Sequence, residues 1–171
     1  MATLKLAYYK RHIECVIPDE LVNAVLVSKT ENYVVTKSES EIVKDALNNP
    51  ISSSPLCELA KDKKHIVIIS SDHTRPVPSH ITMPLLLEEI RKFNKEVRIT
   101  ILIATGMHRP TTHEELVDKY GQKIVDEENI VVHSAYEDEN MTFKGILPSG
   151  GELWVNKLVD EADLLISEGF I

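Results

Sequence analysis

Cysteine is scarce in this 171-residue chain. Cys15 and Cys57 stand far apart and belong to no CxxC or Cys/His spacing, which excludes a zinc ribbon or a disulfide framework. They read as ordinary thiols in a reducing compartment, and neither is a candidate nucleophile. The six glycines form no GxGxxG fingerprint, and none belongs to a P-loop with its lysine, so an ordinary dinucleotide or ATP site has no support. No apolar run approaches membrane-spanning length. The first residues, MATLKLAYYKRH, also lack the unbroken apolar stretch of a secretion signal, so the expected location is the cytoplasm. Basic residues are outnumbered 19 to 27, for a formal net charge of −8. That balance argues against a nucleic-acid coat or a binder of anionic membranes, while leaving room for local anion binding. There is no internal repeat or low-complexity tract.

What is present is an ordinary globular composition, 43% apolar and 27% charged, in a chain long enough for one good core. Two stretches organise it. Ile66 to Thr74, IVIISSDHT, and Ile99 to Arg109, ITILIATGMHR, each begin as an apolar run and break into small polar residues with one basic side chain. Strands buried on both faces read this way where they deliver their last residues to a crevice. One amphipathic helix separates them, which predicts a strand, helix, strand unit closed by a right-handed crossover. The expected class is α/β: an open, mostly parallel, Rossmann-like sheet with flanking helices, plus small β-hairpins. Such sheets bind ligands at the carboxyl edge of their strands.

Taken in order, Leu4–Tyr9 and Ile13–Ile17 predict a hairpin, and Leu21–Val27 fits either a strand or a short helix. A helix is expected over Ser38–Asn48, capped by Ser38 with Glu41 three residues on, and burying Ile42, Val43, Ala46 and Leu47. A short helix around Leu56–Ala60 leads to the central strand. After DHTRPVPSH the next helix starts between Ser79 and Met83, with Ser79 or Thr82 as cap and Pro84 in its first turn. Leu86, Ile90 and Phe93 mark its apolar face, opposite Glu88, Glu89, Arg91 and Lys92. Val97–Ile103 is the second buried strand. Thr111 or Thr112 caps a helix carrying Glu114 and Glu115 in its first turn and ending at Gly121. Ile130–His133 predicts a strand; Met141–Ile146 and Glu152–Val155 predict a hairpin around PSGG; Asn156–Ala162 predicts a short helix or turn; and Leu164–Ile166 starts a last buried strand.

The strand endings place Asp72, Thr74, Arg75 and His108 within reach of one small molecule. Asp72 can accept from a ribose hydroxyl and Thr74 can donate to a phosphate, although both are equally the residues of a turn followed by proline. Arg75, between Thr74 and Pro76, carries the planar fork that suits a carboxylate or phosphate. His108 follows Gly106 at a strand end, where an imidazole can move a proton. His73 lies inside the loop and can meet a ligand through its backbone. Arg109 either binds an anion or pairs with Glu114 or Glu115. His65, His73, His80, His113 and His133 form no recognisable metal-ligand set.

SDHTRPVP and ATGMHRPTTHEEL, in this order and at this spacing, resemble the amino-terminal domain of the nickel-pincer-cofactor-dependent lactate racemase family. GILPSGGELWVN and ADLLISEGFI extend the resemblance over most of the chain. The resemblance implies a two-domain protein, with residues 1–171 forming most of the amino-terminal, cofactor-binding α/β domain and the carboxyl-terminal domain absent from this chain. The end of the sequence at a strand edge is expected to reflect truncation. By the same resemblance, the cofactor is a pyridinium mononucleotide carrying nickel held by carbon and sulfur. Asp72, His73, Thr74 and Arg75 match the loop that contacts the mononucleotide. Arg75 also matches an arginine near the substrate, and His108 matches one of two acid/base histidines. The second histidine, the covalently joined lysine and the nickel-binding histidine follow the last strand in the family, so no metal ligand is expected here.

The activity implied is racemisation or epimerisation of a 2-hydroxy acid by hydride transfer. The alternative is a non-catalytic nucleotide- or phosphate-binding module, and a weaker third reading is a structural domain that pairs with another chain. The expected partner is a small 2-hydroxy acid, with no nucleic acid and no membrane. Nothing in the sequence fixes an oligomeric state.

Overall fold

The computed structural model describes residues Met1 to Gly169; Phe170 and Ile171, the end of the ADLLISEGFI stretch, lie outside the described residues. The chain divides into two compact units, Met1–Thr36 and the part from Lys37 onward.

In the first unit, β1 (Ala2–Tyr8) pairs antiparallel with β2 (Arg11–Ile17) in a register that sets Tyr8 opposite Arg11. The predicted hairpin is therefore present, turning through Tyr9 at φ 55°, the positive φ that two-residue hairpin turns demand. The apolar run that follows is neither strand nor helix beyond a single 3₁₀ turn at Asp19–Leu21. A strand needs a ladder partner, and with no such pairing Val25, Leu26 and Val27 remain 55%, 95% and 59% exposed.

The second unit begins with α1 (Glu39–Asn48), closed by a capping box in which Ser38 Oγ accepts from the Glu41 N–H and the Glu41 carboxylate accepts from the Ser38 N–H. Its expected apolar face is only partly covered: Val43 and Leu47 are half-buried, while Ile42 and Ala46 are exposed. Next come α2 (Leu56–Ala60), β3 (His65–Ser71), α3 (Ser79–Arg91) and β4 (Arg98–Ala104). They are followed by α4 (His113–Tyr120), α5 (Gln122–Glu127) and β5 (Asn129–Val132). The chain then forms the antiparallel hairpin β6 (Met141–Ile146) and β7 (Glu152–Asn156), the single turn α6 (Leu158–Glu161), and β8 (Leu164–Glu168).

Four strands form one parallel sheet in the order β5-β4-β3-β8. The chain steps from β3 to β4 to β5 in one direction, then returns to add β8 on the other side of β3. That reversal is a topological switch point, the place where open α/β sheets form ligand crevices. Ile66, Ile68, Ile101 and Ile103 of the central strands are at most 4% exposed and pack with Met83, Leu87 and Ile90 of α3 and Leu116 and Tyr120 of α4.

Two local expectations about α3 are corrected. The stripe of α3 is Met83, Leu87 and Ile90, not Leu86, Ile90 and Phe93; Phe93 is 60% exposed, and Glu89, expected in solvent, is buried and paired with Lys92 at 2.5 Å. Pro84 lies beyond the first turn of α3, on its exposed side, where the carbonyl it leaves unpaired one turn earlier can be hydrated. Gly121, at φ 86°, ends α4 as expected, but α5 starts at once because that single left-handed residue reorients the chain without a loop.

Candidate active site

At the carboxyl edge of the sheet, the ends of β3, β4 and β8 border an open cavity of about 450 Å³ lined by Ser70, Asp72, Arg75, Thr105, His108 and Glu168 among others. Parallel pairing makes this convergence. Ser71 lies beside Ala104 and Ser70 beside Glu168, so the residues after each strand emerge together.

Asp72 is 2% exposed and bonded on both oxygens. Its Oδ1 accepts from Thr74 Oγ1 at 2.6 Å and from the Thr74 N–H at 3.1 Å. Its Oδ2 lies 2.5 Å from His108 Nδ1. Burial alone raises a carboxyl pKa, but here the hydrogen bonds from Thr74 and His108 outweigh it and hold Asp72 down at about 2. The carboxylate is therefore ionised across the neutral range.

His108 reaches Asp72 because the chain turns tightly after β4. Gly106 takes φ 55°, and the His108 N–H donates to the Thr105 carbonyl at 3.0 Å. Thr105 is anchored in turn by donating its hydroxyl to the His133 carbonyl. The imidazole is 48% exposed and its Nε2 has no hydrogen-bond partner among the described residues. The Arg75 guanidinium likewise has no partner among the described residues, while its N–H donates to the Asp72 carbonyl at 3.3 Å and closes the loop.

Asp72, Arg75 and His108 thus share one cavity, whereas the side chains of His73 and Thr74 do not line it. His73 Nδ1 bonds Thr111 Oγ1 at 3.1 Å and turns its ring toward α4, and Thr74 caps the carboxylate of Asp72. Arg109 pairs in bidentate fashion with Glu115 at 2.6 and 2.9 Å, the second of the two options open in the sequence.

The sequence did not single out Glu168, a buried carboxylate on the cavity wall. Ser79 Oγ and Thr82 Oγ1 donate to its Oε1 at 2.7 and 2.6 Å, and Ser70 Oγ donates to its Oε2 at 2.5 Å. Tyr120 donates to Ser70 at 2.7 Å, extending the network to α4. Ser79 and Thr82, expected as helix caps, are spent on Glu168, and α3 starts after Pro78 with no side-chain cap. Lys119 was missed as well: its Nζ is buried without a hydrogen-bond partner among the described residues, and that burial lowers its pKa against the pull of Glu168 and Asp72. A lysine beside the buried face of an amphipathic helix carries no sequence signal of this kind.

Among the described residues, no group of three or more His, Cys, Asp or Glu side chains is arranged to hold a metal ion, and no helix is long and apolar enough to cross a membrane.

The chain is similar to known proteins over its whole length. The lactate racemases of Thermoanaerobacterium thermosaccharolyticum and Lactiplantibacillus plantarum are each 54% identical to the chain over 171 residues, all of this chain and 40% of theirs. The chain therefore spans 40% of the length of these relatives. The structure of the lactate racemase apoprotein from T. thermosaccharolyticum superposes with a TM-score of 0.89 at 52% identity, covering 99% of this chain and 39% of that one. A Thermotoga maritima protein shares the fold at a TM-score of 0.58 and 21% identity, over 75% of this chain and 32% of that one. A family model described as the lactate racemase N-terminal domain matches residues 8–171, and it is to that family that this chain belongs.

Proposed function

We propose that this chain is the cofactor-side domain of a 2-hydroxy-acid racemase or epimerase, acting on lactate or a close relative with a nickel-pincer pyridinium mononucleotide. The observation that supports this most directly is the shared cavity of Arg75 and His108, an unpaired guanidinium and an imidazole with a free Nε2. The relatives named lactate racemase lend the substrate class.

The donor set fits the mononucleotide. A crevice of about 450 Å³ suits a ligand of that size, and Arg75, at the end of the loop that runs from Asp72 through His73 and Thr74, offers a guanidinium to a phosphate or carboxylate. By the family resemblance, the nickel ligand and the covalent lysine follow the last strand and are not among residues 1–171. When bound, the group supplies an acceptor for the Cα hydrogen as hydride, which avoids a carbanion beside a carboxylate.

The chain's own residues do the rest. Arg75 holds the substrate carboxylate so that Cα keeps one position while either face can react. His108 Nε2 takes the hydroxyl proton: the O–H bond breaks, an N–H bond forms, and the oxygen's electron pair completes the carbonyl as the hydrogen leaves Cα with its own pair. In the reverse direction His108 returns that proton. A second histidine would serve the opposite enantiomer.

The experiment is the His108→Ala variant of the longer protein that contains this chain. Loss of lactate racemisation with cofactor content unchanged supports the reading. Racemisation at the parent rate would reject His108 as base, and a parent that binds mononucleotide without racemising any 2-hydroxy acid would favour a binding module.

A further inference from the structure

We infer that Asp72 is the positioning residue of His108, holding the imidazole as its Nδ1–H tautomer so that Nε2 is the basic nitrogen presented to the cavity. For its catalytic consequence this rests on the racemase reading; for the tautomer it rests on the hydrogen bonds alone.

Both oxygens of Asp72 are committed. Its Oδ1 takes the Thr74 hydroxyl and N–H at 2.6 and 3.1 Å, so the carboxylate plane cannot turn freely. Its Oδ2 is thereby aimed at His108 Nδ1, 2.5 Å away. A carboxylate held ionised is an acceptor only, so the facing nitrogen must carry the hydrogen. In a neutral imidazole the other nitrogen is then the lone-pair bearer. Asp72 is buried and His108 is half exposed, so the fixed partner is the acid and the oriented partner is the ring.

The same bond matters when the proton arrives. Protonation of Nε2 creates an imidazolium, and a buried anion at Nδ1 stabilises that charge through a charge-assisted hydrogen bond. The loop assigned to mononucleotide contact thus divides its side chains between two roles. Asp72 is turned into the protein to serve the base, while Arg75, which has no side-chain partner among the described residues, is left for the ligand. Sequence distance hides the pairing, because the two residues are 36 positions apart and meet only through the parallel register of β3 and β4.

The test is long-range ¹H–¹⁵N NMR on the 171-residue chain at a pH where the imidazole is neutral. His108 is expected to show a protonated Nδ1 and an unprotonated Nε2; the opposite tautomer in the unaltered chain overturns the inference without any variant. In Asp72→Asn the amide oxygen stays with Thr74 and the amide nitrogen faces the ring, which should reverse the tautomer. In the longer enzyme the same variant should lower kcat for lactate about 10²–10⁴-fold, the cost of a misplaced tautomer, with cofactor content and KM little changed. Loss of bound cofactor with the tautomer intact would make Asp72 a ligand contact instead and overturn the inference. A parent enzyme without racemase activity would remove the proposed function and leave the tautomer result standing.

Discussion

Ser79 Oγ donates to Glu168 Oε1 at 2.7 Å across 89 residues of sequence. With Thr82 on the same oxygen and Ser70 on the other, this buried carboxylate ties the start of α3 to the ends of β3 and β8, directly behind the loop that carries Asp72 and Arg75.

Glu168→Ala leaves the hydroxyls of Ser70, Ser79 and Thr82 without their acceptor. Each unsatisfied group costs about 1–3 kcal/mol less whatever its rotor recovers elsewhere, so the variant is expected to lose about 2–4 kcal/mol in urea unfolding. Ser79→Ala removes one bond of the set and should cost about 1 kcal/mol. Equal midpoints for Glu168→Ala and the unaltered chain would remove Glu168 from its place as the hub.

Asp72 makes acid stability a second test. Its carboxyl pKa falls from 3.8 to about 2 on folding. A depressed carboxyl contributes stability that is present in full above its unfolded pKa and is lost as the pH falls through the folded one. Unfolding measured between about pH 4 and pH 2 should therefore weaken less steeply in Asp72→Asn than in the unaltered chain, the difference opening above that window and closing below it.

The start of α4 offers a local test. Thr112 Oγ1 accepts from the Glu115 N–H at 3.3 Å, and Glu115 accepts from the Thr112 N–H at 2.9 Å while also holding Arg109. Thr112→Ala should destabilise by about 1 kcal/mol, with faster amide exchange confined to the first turn of α4. Exchange that rises across the whole sheet would show that the box does more than close a helix.

Gly106 tests the turn beneath His108. At φ 55° a side chain is strained, yet a Cβ there would meet nothing within 4 Å. Gly106→Ala should thus cost about 1–2 kcal/mol by backbone conformation alone and shift the His108 ring resonances, with the core unchanged. A silent His108 spectrum would separate the turn from the placing of the imidazole.

Much of this fold is set locally. The apolar runs at Ile66 and Ile99 are too short and too β-branched for helices and too apolar for exposed strands, so they become the central pair of a parallel sheet. Ser38 with Glu41, and Thr112 with Glu115, mark helix starts because capping is a three-residue affair. The meeting of Arg75 and His108 at one crevice follows from the same pattern, since strand ends of a parallel sheet share an edge. The sequence could not place Glu168, the face of α3 or the bond between Asp72 and His108. Ser79 and Thr82 have the chemistry of caps, and only the addition of β8 beside β3 supplies the carboxylate that takes them. Asp72 suits a ribose or a turn equally well, and only the alignment of β3 with β4 brings an imidazole to its second oxygen. Local hydrogen bonds and periodicity are decided within a few residues, whereas partners dozens of residues apart exist only once strand order and register are fixed.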